Sequence, residues 1–225
     1  MDILIIAEQF HDHSKFIRGL SKQTLKNYKD VIKFFAKSIE VSDVNEITDK
    51  IVREFFIYGR MQRNWKPKTF FSYHKILIVF FRYCITNGYM TYNFAEDIEC
   101  PKMSKALPKK IPTDDALRLL EIIMNYPFTN NFLRYRNHAI FSTFIYTGLR
   151  RSELLNLKVV DVDIENRTIF VRNGKGAKDR ILPMSHTLAQ RLTRYIQERK
   201  KRNKTCPEFF ASNNKNKGFT DSGLR

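Results

Sequence analysis

The chain has 225 residues, 43% of them hydrophobic, enough for one large or two small domains that each bury a core. That content excludes a disordered polymer, and the four-residue apolar core of the start, Ile3 to Ile6, is far too short for a signal peptide or membrane span. Lys and Arg number 40 against 23 Asp and Glu, a net charge of +17. Residues 1–100 hold 15 basic and 12 acidic groups, whereas residues 101–225 hold 25 and 11. So uneven a balance points to a polyanion met mainly by the second half, with nucleic acid favoured over a membrane surface. Cys84, Cys100 and Cys206 are far apart and form no CxxC pair. No zinc site or disulfide framework is readable, which fits a reducing, cytoplasmic setting.

Residues 1–99 read as helices. An apolar segment over about 2–11 packs on the others. Leu25, Tyr28, Ile32, Phe35 and Ile39 follow a helical period behind Ser21 as N-cap. Thr48 caps a second helix carrying Ile51, Phe55 and Tyr58. Pro67 opens a third that runs to Asn87-Gly88, with the glycine just past the end. These make a four-helix bundle. Its aromatic pairs (Phe34 and Phe35, Phe55 and Phe56, Phe70 and Phe71, Phe80 and Phe81) read as core, not as a base-stacking platform.

Residues 100–112 change character, with three prolines and four lysines in thirteen residues. Such a run suits neither a helix interior nor a central strand and reads as an extended basic linker. Lys102, Lys105, Lys109 and Lys110 have no core duty there and are free to lie along phosphates. From 113 to 225 a second domain opens with Thr113 as cap before Asp114 and Asp115, acids well placed for the helix dipole. Its apolar face is Leu117, Leu120, Ile123 and Met124. A helix over about 135–146, a short helix near 151–156, a strand Arg167–Arg172, a Gly174-Lys175-Gly176 turn and a returning strand Arg180–Met184 follow. A last helix spans about 187–202, with Leu188, Leu192, Tyr195 and Ile196 inward. The fold class is mainly α with a small antiparallel sheet.

Two clusters carry the chemistry. An apolar helix breaks at Thr147-Gly148 and restarts at Arg150-Arg151-Ser152-Glu153-Leu154. Arg150 is thereby held near buried backbone, where a guanidinium meets a phosphate or a carboxylate. Arg151 points elsewhere, and Glu153, three residues after Arg150, shares its face and can orient it. A structural Arg–Glu pair explains this motif equally well. In the second cluster Lys175 stands between two glycines, with Lys178 and Arg180 continuing the positive run. No GxxxxGK[ST] is present, which argues against a small-phosphate enzyme of the P-loop type.

Together, Thr-Gly-Leu-Arg-x-Ser-Glu-Leu, then Leu157 and Asp161, then Gly-Lys-Gly-x-Lys-x-Arg-x-x-Pro, resemble the tyrosine recombinase (phage integrase) family, the Xer-like members above all. The resemblance covers nearly the whole chain. It implies an N-terminal core-binding (SAM-like) four-helix domain, a linker, and an α+β catalytic domain. It also implies metal-free strand cleavage and rejoining of double-stranded DNA through a 3′-phosphotyrosine, with no cofactor, by protomers that assemble as tetramers on DNA. Arg150 matches the first phosphate-binding arginine, Lys175 the hairpin lysine that protonates the leaving 5′-oxygen, and Glu153 the supporting acid. Arg151, Lys178 and Arg180 join the linker lysines as expected DNA contacts. The sequence departs from the family downstream. None of His11, His13, His74, His138 and His186 is followed by Arg at the third position, and Tyr195 falls on the wrong helix for the nucleophile. The expectation is a recombinase that stops before its second catalytic box, starts directly with the core-binding domain, does not cleave DNA and exposes apolar surface. The alternative is a non-catalytic protein that occupies recombination sites.

Overall fold

Asp2 starts the first helix, its carboxylate accepting from the N–H groups of Leu4 at 2.7 Å and Ile5 at 3.2 Å. The computed structural model describes residues 1–103, 110–172 and 178–224. The chain divides into two compact units, Met1–Leu107 and Pro108–Arg225.

The first unit holds α1 (Ile3–Asp12), α2 (Lys22–Ser38), α3 (Asp49–Met61) and α4 (Pro67–Thr86). Ser21 and Thr48 cap α2 and α3 through their hydroxyls, as their position before each apolar period predicts. Pro67 is the first residue of α4, and Gly88, one past the Asn87 cap, takes φ +74. The bundle closes on aromatic rings. Phe10, Phe35, Phe80 and Phe81 are fully buried, and Phe35 meets Phe55 edge-on at 5.0 Å. Each such ring contributes roughly 1.5–3 kcal/mol by leaving water. Gly59 is required by a close approach, because a Cβ there would lie 2.3 Å from the Trp65 ring. Phe34 is part-buried against this core, so seven of the eight aromatic residues of the four pairs serve it, and Phe71 is part-buried.

The second unit holds α5 (Thr113–Asn125), α6 (Asn131–Thr147), α7 (Arg151–Asn156), β1 (Val162–Asp163), β2 (Thr168–Val171), β3 (Arg180–Pro183), α8 (His186–Lys201) and α9 (Asp221–Leu224). The three strands form one antiparallel sheet in order β1-β2-β3, with Ile169 opposite Leu182 and Val171 opposite Arg180. Its core joins Phe132, Ile140, Leu154, Ile169, Leu188, Leu192 and Tyr195 to Phe209 and Phe210.

Several expectations shift. Thr113 is the first helical residue rather than the cap; Pro112 holds the cap position and supplies no side-chain bond. Leu117 is 42% exposed, so α5 buries only Leu120 and Ile123. The sixth helix begins four residues early because Asn130 caps it, accepting from Leu133 N at 3.0 Å. Arg167 lies outside β2 with φ +52, a left-handed turn that starts the strand one residue late. Strand β1 and helix α9 were not expected from the sequence. The Gly174–Gly176 turn lies outside the described residues. The segment after α8, for which the sequence predicts no element, returns to the core. Tyr195 Oη donates to Phe209 O at 3.0 Å and accepts from Ala211 N at 2.8 Å. Burial pushes the Tyr195 phenol up to about 12.

Candidate active site

Helix α6 ends because Gly148 adopts φ +63, closing the last turn with an N–H to Phe144 O at 3.0 Å. Leu149 then buries to 4% and anchors the turn. Arg150 is the N-cap residue of α7, in an extended conformation. Glu153, at the third helical position, reaches back so that Oε2 accepts from Arg150 N at 2.9 Å, one arm of a capping box. Its other oxygen, Oε1, accepts from Arg150 Nη1 at 2.8 Å. The chain reversal at Thr147-Gly148 and the i,i+3 spacing fold the guanidinium back over its own helix start.

A third residue completes the cluster. Arg180 opens β3, and its Nη1 and Nη2 donate to Glu153 Oε1 at 3.0 Å and Oε2 at 2.7 Å. The Glu153 side chain is 5% exposed, Arg180 34% and Arg150 55%. Arg180 foremost, against the opposing effect of burial, and then the Arg150 N–H groups hold the Glu153 carboxyl down at about 2. The carboxylate raises the Arg180 guanidinium in turn. Two cations share one buried anion, so the group keeps one net positive charge, displayed by the more exposed Arg150. Such a fixed guanidinium can bind an oxyanion or stabilise one that forms in a transition state.

The other expected residues are placed as follows. Arg151 pairs through Nε with Asp221 Oδ1 of α9 at 2.9 Å. Lys178, Lys102 and Lys110 are exposed. Lys175, Lys105 and Lys109 lie outside the described residues. Asp161, part of the motif, is buried and takes Arg172 Nε at 2.6 Å on Oδ1 and Lys158 N at 3.0 Å on Oδ2. The sequence reading missed Arg172 and the Glu153 bond of Arg180. The period of two along β3 carries the signal for the latter. Ile181 points out at 64% exposure, so Arg180 shares the inward face with Leu182. Among the described residues no three of His, Cys, Asp and Glu come together as a metal site, and no helix is long and apolar enough to cross a membrane.

With its sheet, its break at Gly148 and its arginine cluster, the chain belongs to the phage integrase family. The family profile matches residues 109–222, and the profile of the phage integrase N-terminal SAM-like domain matches residues 6–90. The chain is 32% identical over 187 residues to the tyrosine recombinase XerC of Thermodesulfovibrio yellowstonii, covering 83% of this chain and 60% of that protein. It is 30% identical over 215 residues to XerD of Listeria monocytogenes, covering 92% and 70%. The resemblance to Xer-like recombinases therefore holds, and the chain spans about 60 to 70% of the length of these relatives. Two solved structures share the fold. The Tn1549 transposon integrase with transposon right end DNA superposes with a TM-score of 0.77 at 17% identity, over 99% of this chain and 75% of that one. A lambda integrase dimer bound to a core site gives 0.73 at 18%, over 100% and 78%.

Proposed function

We propose that this chain is the DNA-binding and phosphate-activating part of a site-specific recombinase that cuts and rejoins duplex DNA, metal-free, through a 3′-phosphotyrosine. The observation that carries this reading is Arg150, exposed at the α6–α7 break and held from behind by the buried carboxylate of Glu153. In this role Arg150 stabilises charge on the phosphate under attack, Glu153 supports it, and Lys175 protonates the leaving 5′-oxygen. Residues 1–99 act as the core-binding domain, 100–112 as a linker along the backbone, and 113–225 as catalytic domain. Lys102, Lys105, Lys109, Lys110, Arg151 and Lys178 meet phosphates, and protomers assemble on DNA as tetramers in the cytoplasm. The DNA-bound relatives and the surplus of 25 basic over 11 acidic groups after residue 100 support this partner.

The nucleophile is not Tyr195, whose hydroxyl is locked into the core. A nicked suicide duplex tests the reading. A polypeptide of residues 1–225 retains the duplex without a covalent band. A polypeptide that also carries a His-x-x-Arg box and its tyrosine forms the band, and loses it on Arg150→Ala. A covalent band from residues 1–225 overturns the assignment of the nucleophile. Adduct formation that survives Arg150→Ala overturns the role of Arg150. A second reading, a non-catalytic occupant of recombination sites, gains if no longer polypeptide forms an adduct.

A further inference from the structure

Each oxygen of Glu153 accepts two hydrogen bonds, one from each arginine. Oε1 takes Arg150 Nη1 at 2.8 Å and Arg180 Nη1 at 3.0 Å, and Oε2 takes Arg150 N at 2.9 Å and Arg180 Nη2 at 2.7 Å. The two arginines are not used alike. Arg180 turns both terminal nitrogens onto the carboxylate, a fork on a fork, which commits two of its five N–H groups and fixes the plane of its guanidinium. Arg150 gives Glu153 a single side-chain N–H and keeps the other four, on a side chain that is 55% exposed. A buried carboxylate with only Arg150 for a partner draws in that guanidinium and cancels its charge.

We propose that Arg180 is a positioning residue, not a DNA contact: by neutralising and clamping Glu153 from the sheet, it leaves the Arg150 guanidinium free and net positive for the phosphate. This rests on the reading that Arg150 meets a DNA phosphate. The depressed Glu153 carboxyl, held down first by Arg180, agrees with an acid whose charge is balanced from the β3 side. The arrangement separates tasks that the sequence places on one basic run. Lys178, two residues before Arg180, is exposed, whereas Arg180 faces inward.

The test is a double-mutant cycle read by fluorescence anisotropy on a labelled duplex of mixed sequence, at low salt and below each variant's melting transition. Arg150→Ala weakens binding, and Arg180→Met weakens it by a similar factor, roughly three- to tenfold. In the Arg150→Ala background Arg180→Met changes nothing further. Glu153→Gln with Arg180→Met binds within about twofold of Glu153→Gln alone, because a neutral amide no longer ties up Arg150. Equal weakening by Arg180→Met in both backgrounds makes Arg180 a direct phosphate contact and sinks the proposal. So does an Arg180→Met variant that folds and binds like the parent. Should Arg180→Met fail to fold, the comparison of Glu153→Gln with its double variant decides alone, and a further loss in the double overturns the idea. If Arg150→Ala has no effect, it is the phosphate reading of Arg150 that fails, whatever the other arms show.

Discussion

Arg172 Nε lies 2.6 Å from Oδ1 of Asp161, a carboxylate whose side chain is 2% exposed. This pair mirrors that of Arg180 with Glu153. One arginine follows β2 and the other opens β3, and each holds a buried acid from the α7–β1 segment. The start of β3 is thereby fixed to the helix that Arg150 caps, and the end of β2 to the turn Val159–Asp161 just before β1. Arg172 also lies over the Phe170 ring at 4.9 Å, which further limits its freedom.

Removing the Arg172 side of that pair leaves Asp161 buried with only the Lys158 N–H. Arg172→Met is expected to cost about 1–3 kcal/mol, less than a fully buried pair loses because the arginine is half exposed. Urea unfolding measures it. Adding Asp161→Asn recovers part of the loss; a double variant as unstable as the single one contradicts the charge argument.

Glu153 and His138 set two acid limbs of stability at different pH. The folded Glu153 carboxyl titrates near 2 against 4.5 in the unfolded chain, so its contribution is complete above 4.5 and fades as pH falls toward 2. His138 is 8% exposed, and burial first, then Arg191 and Arg194, lower it to about 4 from 6.5. The unfolded imidazole binds its proton first, so stability is full above pH 6.5 and declines toward pH 4. Thermal melts across both windows are expected to show His138→Gln flattening the upper limb and Glu153→Gln the lower. A parent protein with constant melting temperature from pH 6.5 to pH 4 refutes the His138 assignment.

Tyr195→Phe orphans the Phe209 carbonyl and the Ala211 N–H inside the core. A destabilisation of about 2–3 kcal/mol follows from two buried polar groups losing their partner. DNA affinity well below the transition stays at the parental value. Lost affinity in a folded variant places this tyrosine at the DNA, against its complete burial.

Binding to duplex DNA is expected to fall steeply with salt, since a protein that neutralises Z phosphates releases their counterions with a slope near −0.9Z. Anisotropy titrations from about 50 to 200 mM salt read the slope. A flat affinity across that range speaks against the polyanion reading of the second half.

The elements that were legible in the sequence share a local cause. Ser21, Thr48, Pro67 and Gly88 mark helix ends because capping needs only residues three or four apart. Leu188, Leu192 and Tyr195 line one face because 3.6 residues make a turn. Arg150 and Glu153 were legible together for the same reason, three residues on one helix start. Leu117 was misjudged because periodicity names a face without saying how much of it a neighbour covers. Thr113 was misjudged because a cap depends on backbone angles that Pro112 already supplies.

By itself, then, the sequence determined the helix ends, the apolar faces, the basic second half and the Arg150–Glu153 pair, all interactions within a turn of helix or sums over composition. Only the tertiary structure decided that Arg180, 27 residues from Glu153, belongs to the same carboxylate, and that Arg172 belongs to Asp161. Those partners meet because sheet and helix pack through one core. Burial then makes each unpaired acid too costly to leave without its arginine.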